Sequence, residues 1–278
     1  MGRNPFAVPH QPSDMDLAGK DWRLVREEER EGPVNMALDG IAAETAASGG
    51  PRTVRVYRWK PPTLSLGYHQ SIDSVDWDYC AREGIAVTRR PTGGGGIYHD
   101  SYGDISYSIV VPAEEVPGDL MESYELLLEP VFDALESMGV FAHLAEEERP
   151  ALHQPACYLR ELNPAHDVVV EGRKISGNAQ HRQRDSVIQH GSITYERATE
   201  RHLSTFADPG VSPGEFEGRV TSIREQSGID REAAVSALES ALAEWTDADE
   251  GDWTEEELAA ARDLADEKFA SEEWTRRH

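Results

Sequence analysis

Four consecutive glycines, Gly93 to Gly96, sit between two short runs of strand character, residues 85–88 and 104–111. Ordering glycine costs more backbone entropy than ordering any other residue, so four in a row need a reason. Such a stretch suits a connection where backbone must come close to another group, because no Cβ intrudes and N–H groups can face a ligand. The full stretch reads Arg89-Arg90-Pro91-Thr92-Gly93-Gly94-Gly95-Gly96-Ile97-Tyr98-His99-Asp100. An arginine fork matches a carboxylate or phosphate, and the chain supplies two of them just ahead of the glycines. The glycines alone would also fit a hairpin tip with solvated arginines. The His-Asp pair and the flanking apolar runs favour a loop that faces a ligand.

A second stretch is Gly172-Arg173-Lys174-Ile175-Ser176-Gly177-Asn178-Ala179-Gln180. The chain has only four lysines, Lys20, Lys60, Lys174 and Lys268, so one placed between strands draws notice. A fixed cation near a carbonyl or phosphate oxygen stabilises the charge that develops in acyl transfer. A solvated hairpin-tip lysine is the alternative for this motif alone.

The 278 residues carry 52 acidic and 27 basic side chains, a formal net charge of −25. The acids are spread along the chain, and six Trp, nine Tyr and six Phe argue against a disordered acidic polymer. The expectation is a folded protein with an acidic, halophile-like surface, whose self-repulsion salt screens. Such a surface speaks against nonspecific nucleic-acid binding, which needs basic charge. No apolar run approaches the ~18 residues of a membrane span. The polar start of the chain lacks the apolar core of a signal peptide, so residues 1–20 read as a mobile arm and the protein as cytoplasmic. Cys80 and Cys157 do not make a disulfide framework. His143, His153 and His166 have no metal-ligand spacing, and no metal site is expected.

Strand-like runs mixed with a few helices, several joined by short links, predict an α+β domain with a mixed, mostly antiparallel sheet. A first helix from Met36 to about Ala47 would be capped by Asn35. A longer one from Leu120 to Met138 would be kinked or divided at Pro130. Three strands are expected near 166–171, 173–177 and 187–195, a loop over 209–218, and a helix over 231–245 capped by Asp230. The catalytic part would span 21–246, followed by an acidic linker and C-terminal helix over 247–278.

These motifs resemble those of the lipoate–protein ligases. The first resembles Arg-Arg-x-Ser/Thr-Gly-Gly-Gly-Ala-Val-x-His-Asp, with Gly96 and Ile97 in place of the usual Ala and Val. The second resembles Gly-x-Lys-Ile/Val-x-Gly-x-Ala. Gln189-His190-Gly191-Ser192-Ile193 is similar to that family's His-Gly-Thr/Ser strand. Residues 220–223 resemble its closing strand, and 268–274 an archaeal C-terminal helix. The resemblance implies a biotin/lipoate protein ligase-like catalytic domain that activates lipoate with ATP, carrying magnesium, as lipoyl-adenylate. The acyl group would then pass to a lysine on lipoyl domains of 2-oxoacid dehydrogenase complexes and on the glycine cleavage carrier protein. By resemblance Arg90, Gly94, Gly95, Gly96, Ile97, Tyr98 and Lys174 hold the adenylate. Lys174 is catalytic, and His99, Asp100, Gly177, Ala179, His190 and Gly191 support the site. Ile97 and Tyr98 would wall an apolar slot. A separate accessory subunit is implied, since larger ligases carry a further C-terminal domain.

A second chemistry is legible in the same residues. Cys157 ahead of the Lys174 motif resembles the related octanoyltransferases, which take octanoyl from acyl carrier protein through a cysteine thioester. A cation such as Lys174 would favour the thiolate. Those enzymes usually carry Arg where this chain has Gly95, and Tyr102-Gly103-Asp104 is ligase-like, so the sequence favours the ligase. A non-catalytic lipoyl-domain or lipoyl-binding protein is a third reading, opposed by Lys174 and both glycine motifs. The acidic surface makes its own prediction. The melting midpoint should rise as salt goes from about 0.1 M to about 3 M, because the screening length shrinks from ~10 Å to under ~3 Å; a midpoint indifferent to salt would refute a halophilic surface.

Overall fold

The computed structural model describes residues 17–162 and 166–277, so most of the arm expected over 1–20 lies outside the described residues. The elements in chain order are β1 (Trp22–Arg30), α1 (Gly32–Ala47), β2 (Arg52–Trp59), β3 (Thr63–Leu66), α2 (Trp77–Arg82), β4 (Ala86–Arg89), β5 (Ile97–His99), β6 (Asp104–Pro112), α3 (Leu120–Ser137), β7 (His143–Leu144), β8 (Asp167–Val170), β9 (Arg173–Arg182), β10 (Ser186–Thr194), α4 (Thr199–Ser204), α5 (Pro213–Glu217), α6 (Ile223–Ser227), α7 (Arg231–Thr246), β11 (Asp249–Glu250), α8 (Glu255–Leu264) and α9 (Glu272–Thr275). Eight strands form one sheet in the order β11-β1-β2-β6-β10-β9-β8-β7, and β4-β3-β5 form a second. The large sheet is parallel only at β11–β1 and β1–β2. The fold is therefore α+β with a mixed, mostly antiparallel sheet. Among the described residues no helix is long and apolar enough to cross a membrane.

Side-chain alternation along β6 explains the layering. Ile105, Tyr107, Ile109 and Val111 point into a core shared with α3 and α7, through Leu127, Leu128, Val131, Leu238 and Leu242. Val110 points the other way, into a core with Met36, Leu38 and Ile41 of α1 and Ala261 of α8. Covered on both faces, β6 is buried along its whole length. The small sheet packs its own core, including Leu64, Leu66, Ile97, Tyr98 and Phe206, beside the α1 face of the large one.

Several local expectations are corrected. α1 begins at Gly32 with Pro33 in its first turn, where a missing N–H goes unneeded. Asn35 lies inside the helix, not at its cap. Its Nδ2 donates to the carbonyls of Arg30 (3.3 Å) and Arg58 (3.2 Å) and ties α1 to two strand ends. Pro130 neither divides nor ends α3, because Leu127, Leu128, Val131, Ala134 and Leu135 hold the helix against the core on both sides of it. The 209–218 loop contains α5, closed by a capping box between Ser212 and Glu215. Asp230 caps α7 by accepting from Ala233 N, in line with the sequence reading. Residues 220–223 make a single parallel bridge to Lys174 and then enter α6, so no closing strand forms there.

One irregularity decides where Lys174 points. On β8 and β9, Asp167 pairs with Gly177 and Val168 with Ser176, but Val169 pairs with Lys174. Ile175 is the extra residue of a β-bulge, which resets alternation. Val168, Val170 and Ile175 face the α3 core. Lys174 thereby shares the opposite face with Asp167 and Gly177, which a regular strand would deny it because 174 and 177 differ by an odd number. The bridge clamps the lysine backbone here, with Lys174 N donating to Arg219 O at 2.8 Å and Thr221 N to Lys174 O at 3.0 Å.

Candidate active site

The glycine loop is packed against the chain itself. Gly96 N donates to Pro155 O at 2.6 Å, and Cys157 N donates to Gly96 O at 2.9 Å. A Cβ on Gly95 would come within 2.7 Å of Cys157 N and Pro155 O. The glycines thus let a backbone lie flush against the 155–157 segment and fix where Cys157 sits. Gly94 adopts φ +92°, which favours glycine. Arg90, expected to grip a phosphate, donates instead to the carbonyls of Ser65 (2.8 Å), Gly93 (3.0 Å) and Gly95 (2.6 Å). Burial lowers its pKa from the ordinary arginine range. Arg89 is fully buried and donates to Gly67 O and Thr275 O. Arg90 and the Gly96 N–H, two members of the donor set expected for a phosphate, are thus bonded within the protein.

Two buried polar networks brace this arrangement. His190 stands between Asp39 Oδ2 of α1 (3.3 Å) and Thr92 Oγ1 of the loop (3.0 Å). Arg55 completes the corner, with Nε 3.1 Å from Asp39 Oδ1. Burial would raise the Asp39 pKa, but Arg55 and His190 outweigh it and hold the group below the carboxylate range. His99 Nδ1 meets Asp104 Oδ2 at 3.0 Å, its Nε2 meets Ser65 Oγ at 2.8 Å, and Trp59 stacks on its ring at 4.0 Å. Burial pushes the His99 pKa down and keeps the ring neutral. Asp104 Oδ1 in turn accepts from Ser192, and Tyr158 O–H donates to Ser192 O at 2.9 Å. Both motif histidines orient structure.

Cys157, Lys174 and Asp167 converge beside these braces. Lys174 Nζ lies 2.6 Å from Asp167 Oδ1, 3.1 Å from Cys157 O and 3.6 Å from Cys157 Sγ. Lys174 and Asp167 are 3% and 1% exposed, so this is a buried ion pair and not a solvated tip. Burial alone would depress the Lys174 pKa. The Cys157 sulfur and the Asp167 carboxylate outweigh it and push the ammonium above the ordinary lysine range. A Cβ on Gly177 would lie 3.2 Å from Cys157 Sγ and 3.5 Å from Lys174 Cε, so the missing side chain keeps the sulfur open. Cys80, by contrast, is a buried thiol pushed up to about 11 by burial, a packing residue.

These groups open into a cavity of about 260 Å³ between the two sheets, whose apolar lining includes Met36, Tyr57, Trp59 and Ile97. Gly94, Ala179 and Gly191 also reach it. Tyr98 does not wall this slot. It alternates to the other face of β5, where its hydroxyl donates to Asp100 Oδ2 at 3.1 Å. Asp100 also accepts from the Tyr102 and Gly103 N–H groups and shapes a turn away from the cavity. Gly191 omits a side chain where one would strike the Tyr107 ring and Asn178. Sequence reasoning missed Asp167, Asp39, Met36 and Trp59. Only the strand spacing that sets Asp167 opposite Gly177 carried a usable signal. Among the described residues no three His, Cys, Asp or Glu side chains gather to hold a metal.

The lipoyl protein ligase A/B catalytic domain family matches residues 31–245. This chain belongs to that family. Octanoyltransferase LipM of Geobacillus kaustophilus (strain HTA426) is 32% identical over 282 residues, covering 93% of this chain and 99% of that protein. Octanoyltransferase LipM of Kyrpidia tusciae (strain DSM 2912 / NBRC 15312 / T2) is 35% identical over 273 residues, with 92% and 98% covered. A lipoate-protein ligase A bound with ATP shares the fold at TM-score 0.77 and 24% identity, covering 92% of this chain and 98% of that one. A bi-partite lipoate protein ligase from Thermoplasma acidophilum does so at TM-score 0.75 and 24% identity, covering 92% and 96%. As a member of the lipoyl protein ligase A/B family, the chain is an enzyme of the lipoate ligase and octanoyl transferase group.

Gly95→Val should disturb the fold, because its side chain would enter the backbone of 155–157. We expect a loss of about 1–3 kcal/mol or more in denaturant unfolding, the overpacking scale, together with lost activity. Gly177→Ala should leave stability within about 1 kcal/mol and slow modification of Cys157 by a thiol reagent. Equal thiol reactivity in Gly177→Ala and wild type would contradict the role given to Gly177.

Proposed function

We propose that this enzyme moves an octanoyl group from acyl carrier protein to a lysine of lipoyl domains through a thioester on Cys157, without ATP. The carrying observation is the Cys157 Sγ beside the buried Lys174 ammonium, 3.6 Å away, at the edge of a cavity that is apolar along one wall and polar along the rest. Full-length similarity to LipM octanoyltransferases supports this chemistry over lipoyl-adenylate formation. The ligase preference drawn from sequence is therefore given up. Its main premise, Gly95, follows from contact with the backbone of 155–157 and so belongs to the placement of Cys157. Gly103 likewise answers to packing, since a Cβ there would strike Glu196 O.

The reaction runs in two balanced steps. The Cys157 thiolate attacks the carbonyl carbon of the donor thioester, the C–S bond to the carrier breaks, and the carrier leaves as a thiolate that takes a proton from solvent. The lipoyl-domain lysine amine then attacks the Cys157 thioester. An amide forms, the Cys157–acyl C–S bond breaks, the sulfur leaves as the starting thiolate, and the amine returns a proton to solvent. Lys174 contributes a fixed positive charge that stabilises the thiolate and then the oxyanion of each tetrahedral intermediate. Met36, Tyr57, Trp59 and Ile97 offer the acyl chain an apolar bed. Trp59 is fixed for that task by the His99 stack and by its Nε1–H donated to Ser106 Oγ at 3.0 Å.

Incubation with octanoyl-carrier protein alone should add one octanoyl group to the protein at Cys157, and the group should move to a lipoyl domain when one is supplied. Cys157→Ser should abolish both steps. Lys174→Ala should lower transfer about 10²-fold or more, the scale of a lost electrostatic stabiliser. Lipoate- and ATP-dependent labelling that survives Cys157→Ser would replace this reading with the ligase.

A further inference from the structure

The lysine that serves the thioester is also its nearest amine. Once Cys157 carries an acyl group, the carbonyl carbon is bonded to a sulfur that lies 3.6 Å from Lys174 Nζ. An acyl carbon one bond away from that sulfur can come within the about 3–3.5 Å of the nitrogen from which an amine attacks. A neutral Lys174 would attack this carbon, the C–S bond would break, the proton released from nitrogen would pass to the Cys157 sulfur, and a stable amide on Lys174 would remain. No further reactant is needed, and the enzyme would be spent. The proposed acceptor is a lysine amine too, so the chemistry of the productive and the wasteful step is the same.

We propose that Asp167 protects the acyl-enzyme by keeping Lys174 in its ammonium form, so that it stabilises the thioester chemistry without becoming the acceptor. An ammonium has three N–H donors and no lone pair. Around Nζ stand Asp167 Oδ1 at 2.6 Å, Cys157 O at 3.1 Å and Cys157 Sγ at 3.6 Å, and of these the carboxylate is the nearest. Before acylation the sulfur, as thiolate, could balance the lysine charge. After acylation the sulfur is neutral, and Asp167 is the carboxylate that still touches the ammonium. A buried charge left unpaired shifts toward its neutral form, so removing Asp167 would release the amine when the thioester stands beside it. Tyr158, whose ring centre is 5.5 Å from Nζ, and His166, whose pKa burial lowers, also face the lysine, and Arg160 and Glu161 line the same cavity. Of these Glu161 is the anion, and it is already paired with Arg160 at 3.1 Å. The β-bulge at Ile175 serves this arrangement by putting Lys174 on the Asp167 face.

This inference rests on the Cys157 thioester proposed above, and the two can fail separately. Wild type and Asp167→Asn are each incubated with octanoyl-carrier protein and no acceptor, then treated with hydroxylamine, which cleaves thioesters and spares amides. Peptide mass spectrometry locates what remains. Wild type should lose its octanoyl group completely, while Asp167→Asn should retain one on Lys174, rising at least tenfold over wild type and increasing with pH. Asp167→Glu should return toward wild type, which a merely structural defect would not do. A folded Asp167→Asn that forms the Cys157 thioester and leaves Lys174 unmodified overturns the proposal. Wild type itself gives an independent check should Asp167→Asn not fold: hydroxylamine-resistant octanoyl on Lys174 of the intact enzyme between about pH 7 and about pH 9, below the ordinary lysine pKa of about 10.4, would also overturn it. Absence of any labile group on Cys157 in wild type would instead defeat the thioester reading.

Discussion

The ion pair between Lys174 and Asp167 is the interaction on which the rest of the site depends. Two charges withdrawn from water cost several kcal/mol each unless geometry and hydrogen bonds compensate. The chain meets that requirement with a short contact, a carbonyl acceptor from Cys157 and a strand bulge that turns both residues to one face. The parallel bridge to Val220 then holds the lysine backbone in register. Losing either partner leaves a lone buried charge, at a cost of about 3–5 kcal/mol. Stability and chemistry therefore hang on the same pair.

The glycine loop complements it from the other side. Its carbonyls are gripped by Arg90, its Thr92 by His190, and its Gly96 by the Pro155–Cys157 backbone. Each tie is modest, with a typical net hydrogen bond near 1 kcal/mol. Together they turn an entropically expensive run of glycines into a rigid wall. Cys157 rides on that wall, while the Lys174 ammonium rides on the large sheet. The cavity is the gap between the two layers.

The α+β class and the mostly antiparallel sheet were legible because strand and helix periods differ and turn residues mark the ends. The strands around Lys174 and His190 and the cap at Asp230 could be read in the same way. The site was legible as two motifs and a cysteine, but the division of labour inside it was not. An arginine before glycines reads as a phosphate ligand, and only the fold shows that Arg90 spends its donors on nearby carbonyls. Strand alternation would have grouped Lys174 with Ser176. The bulge groups it with Gly177, and a bulge leaves little trace in one sequence. Tyr98 and Ile97 are neighbours in sequence and face opposite ways, so only one of them lines the cavity. Asp39 and Met36 come from α1, far from either motif, and nothing local marked them.

The hold of the C-terminal helices on β4 has a consequence for how the enzyme is made. Thr88 donates to Phe269 O, Arg89 to Thr275 O, and Trp274 returns a hydrogen bond to Arg89 O, across separations of 181 to 186 residues. The residue that leads into the glycine loop is thus anchored by chain that leaves the ribosome long after it. Synthesis runs at about 5–20 residues per second, so the two ends of this clamp are separated by about ten seconds or more. During that interval the sheet can pair and the large core can close, but Arg89 still lacks its Thr275 acceptor. β4 therefore stays unclasped until residues 269–275 have emerged, and a chain cut before them would carry Cys157, Lys174 and Asp167 with the strand ahead of the glycine loop untied.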